Sequence, residues 1–127
     1  MPSRARDWLR QAERNLRSAK VNYQNGLYEE TCYESQQTAE KAVKALLNHL
    51  HREEKGSAIT LLLQQVTVEI LGVMECAQEL DKHYIPSRYP DAYAEGAPLD
   101  FYNRANGERC MECARMVLDW VRSHVDM

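Results

Sequence analysis

Apolar side chains recur at helical spacing in several separate segments of this 127-residue chain, and this recurrence most restricts its fold. Residues 4–24 are the clearest case, with an apolar stripe on one side and a set of four arginines opposite it. The stripe consists of Ala5, Trp8, Leu9, Ala12, Leu16, Ala19 and Tyr23. The opposite set, called the arginine stripe below, consists of Arg6, Arg10, Arg14 and Arg17. Asn25-Gly26 predicts the end of this helix, because glycine adopts the left-handed cap conformation without steric cost.

Four further segments continue the helical pattern. Residues 27–52 predict a second helix, with a stripe formed by Tyr28, Cys32, Gln36, Ala39, Val43, Leu46 and Leu50. A short helix is expected over residues 58–65, with Ile59, Leu62 and Leu63 facing inward. Thr67 can cap a fourth helix, whose inner face would hold Val66, Ile70, Val73, Ala77 and Leu80. The last helix is expected over residues 104–125, with Cys110, Ala114, Val117, Leu118 and Val121 together.

No segment sustains a period of two, so we expect no strands. Long amphipathic helices joined by short connections predict antiparallel neighbours. The sequence therefore predicts an all-α fold, an up-and-down antiparallel bundle of four to five helices. The 127 residues suit one domain, residues 1–127, with one core.

A stretch rich in proline and tyrosine interrupts the helical pattern before the last helix. It reads Tyr84-Ile85-Pro86-Ser87-Arg88-Tyr89-Pro90-Asp91-Ala92-Tyr93. Each proline lacks a backbone N–H and disfavours helix, so we expect an extended surface connection over residues 84–103. Its tyrosines and charged side chains exceed what a plain linker needs, which makes this loop the first candidate for a binding site.

Charge and composition exclude some classes of protein. The net charge of −3 argues against a polycation that coats nucleic acid. Hydrophobic residues make up 44% and charged residues 28% of the chain, as in folded globular domains. No apolar run is long enough to cross a bilayer and no signal-peptide pattern is visible, so we expect no membrane contact and a cytoplasmic location.

The four cysteines stand in separate helical patterns, apart from the pair Cys110-x-x-Cys113. That spacing orients two helical side chains poorly for a disulfide. A four-cysteine metal site would require three helices to converge. We therefore expect four reduced cysteines that act as small apolar side chains, with no metal site and no cofactor.

Gln36 is a polar residue in the middle of an apolar stripe. A buried amide without a hydrogen-bond partner would be costly, so something polar must meet it. We expect that partner to be backbone of the long loop, and a ligand is the alternative.

Three blocks of sequence resemble the HEPN domain (higher eukaryotes and prokaryotes nucleotide-binding), over nearly the whole length. They begin with Asp7-Trp8-Leu9-Arg10-Gln11-Ala12, Cys32-Tyr33-Glu34-Ser35-Gln36-Gln37 and Asp81-Lys82-His83-Tyr84-Ile85-Pro86. The resemblance implies a helical bundle, often a symmetric homodimer, that handles nucleotides or RNA. It also implies a small nucleotidyltransferase as a protein partner in prokaryotes.

One departure from the family bears on catalysis. Ribonuclease members resemble one another in an Arg followed, after about four to six residues, by a His, which supplies a cation and a base. Here the windows before His49, His51, His83 and His124 contain no arginine. We therefore expect no catalytic residues, and binding in place of catalysis.

The predicted ligand site lies on the long loop. Arg88 is the expected phosphate contact because its planar fork matches phosphate oxygens. The other candidates are Lys41 and Lys44 for charge, Tyr84, Tyr89 and Tyr93 for stacking a base, and Asp91 and Gln36 for polar contacts. The alternative is structural, with Arg88 paired to Asp91 or Glu40 and the tyrosines holding the loop on the bundle.

Three kinds of partner remain open at this point. The ligand could be ATP or GTP, bound by a homodimer. The bundle could instead be an interaction surface in a toxin–antitoxin-type pair with a nucleotidyltransferase. RNA could bind the arginine stripe, although a solvated helix face is the commoner explanation of such a stripe.

Overall fold

The computed structural model describes residues 3–66 and 69–125. Helices are the only regular secondary structure in these residues, which confirms the all-α prediction. They comprise five α-helices, α1 (Ala5–Gln24), α2 (Tyr28–His49), α3 (Ile59–Leu63), α4 (Leu71–Asp81) and α5 (Arg104–His124), and two 3-10 helices, Pro90–Ala92 and Pro98–Asp100. None of these helices is both long enough and apolar enough to span a lipid bilayer.

Helix α2 lies at the centre of the bundle, and its most extensive packing is against α1 and α5. Helices α3 and α4 contact it as well, and α4 also packs on α5. The core between these helices is aliphatic and closely packed, with Leu46, Leu47, Ile59, Leu80 and Leu118 among its fully buried side chains. Burying such a side chain stabilises the fold by about 1.5–3 kcal/mol. Of these five, all but Leu47 belong to the predicted stripes.

The helix ends follow local sequence signals. Gly26 has φ +76°, and Leu27 N–H donates to the Asn22 carbonyl, so α1 ends where the Asn-Gly pair predicts. Helix α2 ends at His49, before the predicted position 52, and His51 adopts φ +63° just beyond it. Thr67, the predicted cap of the fourth helix, lies outside the described residues, and α4 begins at Leu71.

The prediction of an extended loop from residue 84 is wrong for its first part. After α4 the chain continues in helical turns as far as Arg88, and Arg88 N–H and Tyr89 N–H both donate to the Ile85 carbonyl. Pro86 is tolerated because it stands at the start of a turn, where its missing N–H is not needed. The 3-10 helices Pro90–Ala92 and Pro98–Asp100 also begin with proline.

The prediction that all four cysteines are reduced is wrong for two of them. The sulfur atoms of Cys32 on α2 and Cys110 on α5 are joined in a disulfide, across 78 residues of sequence. Their Cα atoms lie 5.1 Å apart, within the ordinary range for such a bond. Cys76 and Cys113 are buried free thiols, as predicted.

This disulfide yields a stability prediction. Closing a loop of this length lowers the entropy of the unfolded chain, so reduction should lower the free energy of unfolding by about 4 kcal/mol. Urea denaturation with and without a phosphine reductant, both in the presence of EDTA, measures the difference. The Cys32→Ser/Cys110→Ser variant is the control, because the reductant should leave its midpoint unchanged. An equal midpoint for the oxidised and reduced parent would contradict the prediction.

Candidate ligand-binding site

Arg88 is surrounded by three tyrosine rings. Its guanidinium carbon Cζ lies 4.6 Å from the ring centroid of Tyr33, 4.4 Å from that of Tyr84 and 4.8 Å from that of Tyr89. A guanidinium over an aromatic face is attracted by the negative potential of the ring. These three rings, called the tyrosine cage below, therefore hold the cation in place.

Local structure sets the orientation of the guanidinium. The helical turn after α4 brings the Tyr84 carbonyl within reach of Arg88 Nε, which donates to it at 2.9 Å. Tyr33 is the cage residue that α2 supplies, and its ring centroid lies 6.3 Å from that of Tyr84. Since Nε is occupied by backbone, the two terminal nitrogens are left as the donors that can meet a ligand.

Gln36 is connected to the cage by hydrogen bonds through Ser57. Its side-chain nitrogen donates to the Ser57 carbonyl at 2.8 Å, and the Ser57 hydroxyl donates to the Tyr84 hydroxyl oxygen at 3.2 Å. The partner of Gln36 is therefore backbone, as expected, but the prediction that it belongs to the long loop is wrong. Ser57 lies in the connection between α2 and α3. Gln36 is fully buried and held by protein groups.

The predicted pairing of Arg88 with Asp91 or Glu40 does not occur. Glu40 Oε2 instead accepts from Lys44 Nζ at 3.0 Å. Among the described residues, no ion pair includes Arg88 or Asp91. Burial raises the pKa of the Tyr33 hydroxyl, and this outweighs the opposing effect of the Arg88 charge, so Tyr33 stays neutral. No described carboxylate therefore pairs directly with the Arg88 charge.

An open cavity of about 510 Å³ lies beside the cage. Its wall includes three carboxylates from the first turns of α2, Glu29, Glu30 and Glu34, and its other lining residues are Tyr33, Ser87, Arg88, Pro98 and Leu99. Glu34 already accepts a hydrogen bond from the side chain of Asn15 at 2.7 Å. The cavity thus presents one cation beside an acidic wall.

Four of the predicted site residues lie apart from Arg88 or serve the scaffold. Lys41 Nζ donates to Asn15 Oδ1 at 2.9 Å, and Lys44 lies over the Trp8 ring at 5.3 Å, so both lysines face α1. The Tyr93 hydroxyl donates to the Pro86 carbonyl at 2.8 Å while its ring stacks on Phe101, and Asp91 is exposed. Of the predicted site residues, Arg88, Tyr84 and Tyr89 therefore lie together, and Gln36 is linked to Tyr84 through Ser57.

Sequence reasoning missed Tyr33 and the acidic wall. Tyr33 precedes Gln36 by three positions on α2, so the two share a helix face. That spacing is the signal that could have identified it.

The arginine stripe is exposed on α1. Arg10 pairs with Asp7 at 3.7 Å, and within the described part of the chain neither Arg14 nor Arg17 has an ion-pair partner. The stripe is a second cationic surface, separate from the residues that line the cavity at Arg88.

Comparison with known proteins identifies the family. The HEPN domain model matches residues 5–124, and the chain belongs to this family. The crystal structure of TT1696 from Thermus thermophilus is 36% identical, with a TM-score of 0.93 over 98% of this chain and 100% of that one. That of ST0689, an archaeal HEPN homologue, is 42% identical, with a TM-score of 0.84 over 99% and 100% of the two chains. A Methanocaldococcus jannaschii protein named "Putative toxin MJ1304" is 28% identical over 130 residues, 93% of this chain and 86% of that protein.

The cage makes a prediction about stability. Arg88→Ala removes the hydrogen bond to the Tyr84 carbonyl and the contacts with three rings, so the free energy of unfolding should fall by about 1–3 kcal/mol. Arg88→Lys should recover part of this loss, because an ammonium can contact the rings but lacks the planar fork. Urea denaturation followed by circular dichroism measures both changes. Arg17→Ala, at an exposed site, is the matched control and should change stability by less than about 0.5 kcal/mol. Equal stability of Arg88→Ala and the parent would show that the contacts of Arg88 in the cage do not stabilise the fold.

Proposed function

We propose that this chain is a HEPN-domain binding module that takes a nucleotide or another phosphate-bearing ligand at Arg88, without catalysis of its own. The observation that carries the proposal is the guanidinium held by the tyrosine cage with no carboxylate partner among the described residues. A positioned guanidinium of this kind suits the bidentate hydrogen bonds that phosphate oxygens accept.

Two neighbours of Arg88 favour a nucleotide over a bare phosphate. Tyr89 is 47% exposed, so its outer face can stack a base while its inner face contacts Arg88. The acidic wall repels a free polyanion, but carboxylates together with phosphate oxygens are the usual ligands of protein-bound Mg²⁺. We therefore expect a nucleotide with its magnesium ion to bind better than the nucleotide alone.

The sequence spacing supports binding in place of catalysis. No histidine follows an arginine at the interval found in ribonuclease members of the family. A lysine such as Lys44 offers a charge without the planar fork, and it is already paired with Glu40.

Calorimetric titration tests the proposal with ATP, GTP and inorganic phosphate, each with and without Mg²⁺. Arg88→Ala should weaken nucleotide binding by at least about tenfold, the effect of losing about 1.4 kcal/mol of interaction. Arg17→Ala is the matched control and should bind as the parent does. If Arg88→Ala retains its helical circular dichroism and binds the same nucleotide with unchanged affinity, the ligand site is not at Arg88.

A second candidate function is that of a toxin-type or antitoxin-type partner of a small nucleotidyltransferase. The similarity to the protein named "Putative toxin MJ1304" favours it. Four exposed apolar side chains in and after the segment that carries Arg88 support it as well: Ile85, Tyr89, Leu99 and Phe101. Exposed apolar clusters of this kind often mark protein interfaces. Replacing Phe101, which is 51% exposed and is not among the residues that line the cavity at Arg88, by Asp would weaken such a complex while leaving nucleotide binding at Arg88 intact.

Homodimerisation also remains a prediction of the family resemblance. The small core of a 127-residue chain gains stability from a symmetric interface, and a stable interface needs a buried area of about 1,200–2,000 Å². Sedimentation equilibrium at tens of micromolar (about the range in which such interfaces assemble) should therefore give twice the monomer mass of 14.7 kDa. A single species at the monomer mass would rule the dimer out at that concentration.

A further inference from the structure

Two cysteines and a histidine meet inside the bundle. Cys32 on α2, Cys110 on α5 and His83 in the turn after α4 each offer a ligand atom, and these atoms lie within 4.8 Å of one another. Both cysteines are fully buried and the His83 side chain is 13% exposed. A disulfide uses only the two sulfurs, so the imidazole adds a third potential ligand atom to the pair.

We propose that the reduced form of this cluster binds a thiophilic divalent cation, Zn²⁺ or a close relative, through Cys32, Cys110 and His83. Two thiolates and one imidazole are a ligand set that zinc prefers, and three protein ligands leave one position for water. The metal and the Cys32–Cys110 bond exclude each other, since both use the same sulfur atoms.

The surroundings of His83 fit a metal ligand. Its Nδ1 lies 2.7 Å from the Tyr102 hydroxyl oxygen, and its Nε2 lies 3.0 Å from Glu79 Oε2. A metal-bound histidine usually has its second ring nitrogen held by a carboxylate or another polar group. When the metal takes one ring nitrogen it displaces one of these two partners, and the other keeps the ring oriented.

The conversion of the disulfide form into the metal-bound form is balanced in electrons and protons. A cellular dithiol transfers two electrons and two protons to the Cys32–Cys110 bond, and is itself oxidised to a disulfide. Zn²⁺ then replaces the two thiol protons, which are released to water. The cluster therefore holds either a disulfide or a metal ion, according to the redox state of its surroundings.

The other two cysteines form a natural comparison. Cys76 Sγ lies 3.8 Å from Met116 Sδ and is hydrogen-bonded to Cys113. Burial, followed by this contact with Cys76, raises the pKa of the Cys113 thiol to about 12. Within the described residues, no histidine or carboxylate joins this pair to form a group of three ligands. We therefore assign metal binding to Cys32, His83 and Cys110 alone.

Titration with Co²⁺, a spectroscopic substitute for Zn²⁺, tests the proposal on protein reduced with a phosphine under anaerobic conditions. Stoichiometric thiolate-to-cobalt charge-transfer bands should appear in the reduced parent and disappear when Zn²⁺ is added. The oxidised parent should show none. Absence of these bands in the reduced parent, or equal bands in the oxidised parent, would overturn the proposal.

Variants locate the ligands. Cys32→Ser and His83→Ala should each weaken cobalt binding by at least about 100-fold, the upper end of losses seen when even a supporting residue is removed. The Cys76→Ser/Cys113→Ser variant is the control and should bind within about twofold of the parent. His83→Ala keeps both thiols, so it tests the proposed metal site even if Cys32→Ser fails to fold. Unchanged cobalt binding by His83→Ala would show that the imidazole is not a ligand.

Discussion

The burial of α2 is the constraint on which the rest of the structure depends. Because α1, α3, α4 and α5 all contact it, its buried polar side chains need partners inside the protein, and among the described residues only the Ser35 hydroxyl lacks one. The Thr31 and Thr38 hydroxyls donate to carbonyls four positions earlier, at 3.0 and 2.9 Å. The Gln36 side-chain nitrogen donates instead to the Ser57 carbonyl in the following connection. The central helix thus fixes the position of a segment outside the bundle.

That fixed segment connects the core to the candidate site. Gln36 holds Ser57, Ser57 donates to the Tyr84 hydroxyl, and Tyr84 supplies both a ring and a carbonyl to Arg88. Tyr33, also on α2, completes the contact from the other side. A cation held by several rigid groups loses little further conformational freedom when a ligand arrives, which favours binding. The proposed site therefore depends on α2 as much as on the loop that carries its arginine.

Packing around α2 decides which of the four cysteines form a disulfide. The expectation of four reduced thiols rested on spacing within one helix, Cys110-x-x-Cys113, where no bond is favoured. Packing of α2 against α5 instead places Cys32 next to Cys110 and leaves Cys113 to face Cys76 on α4. Two cysteines three positions apart therefore contact different helices, because 3.6 residues per turn separate their side chains by about 60° around the helix axis.

The sequence by itself determined the elements whose signals are local. Apolar stripes predicted the helices, Asn25-Gly26 predicted the end of α1, and the three quoted blocks identified the HEPN family. It also placed Arg88 among the candidates, because a charged and aromatic segment stands out from an ordinary connection. Only the tertiary structure decided which groups meet: Arg88 with three rings, Gln36 with Ser57, and Cys32 with Cys110 and His83. The physical reason is that periodicity and turn chemistry act over a few residues. Side-chain partners such as Cys32 and Cys110, which are 78 positions apart, are chosen instead by how whole helices pack.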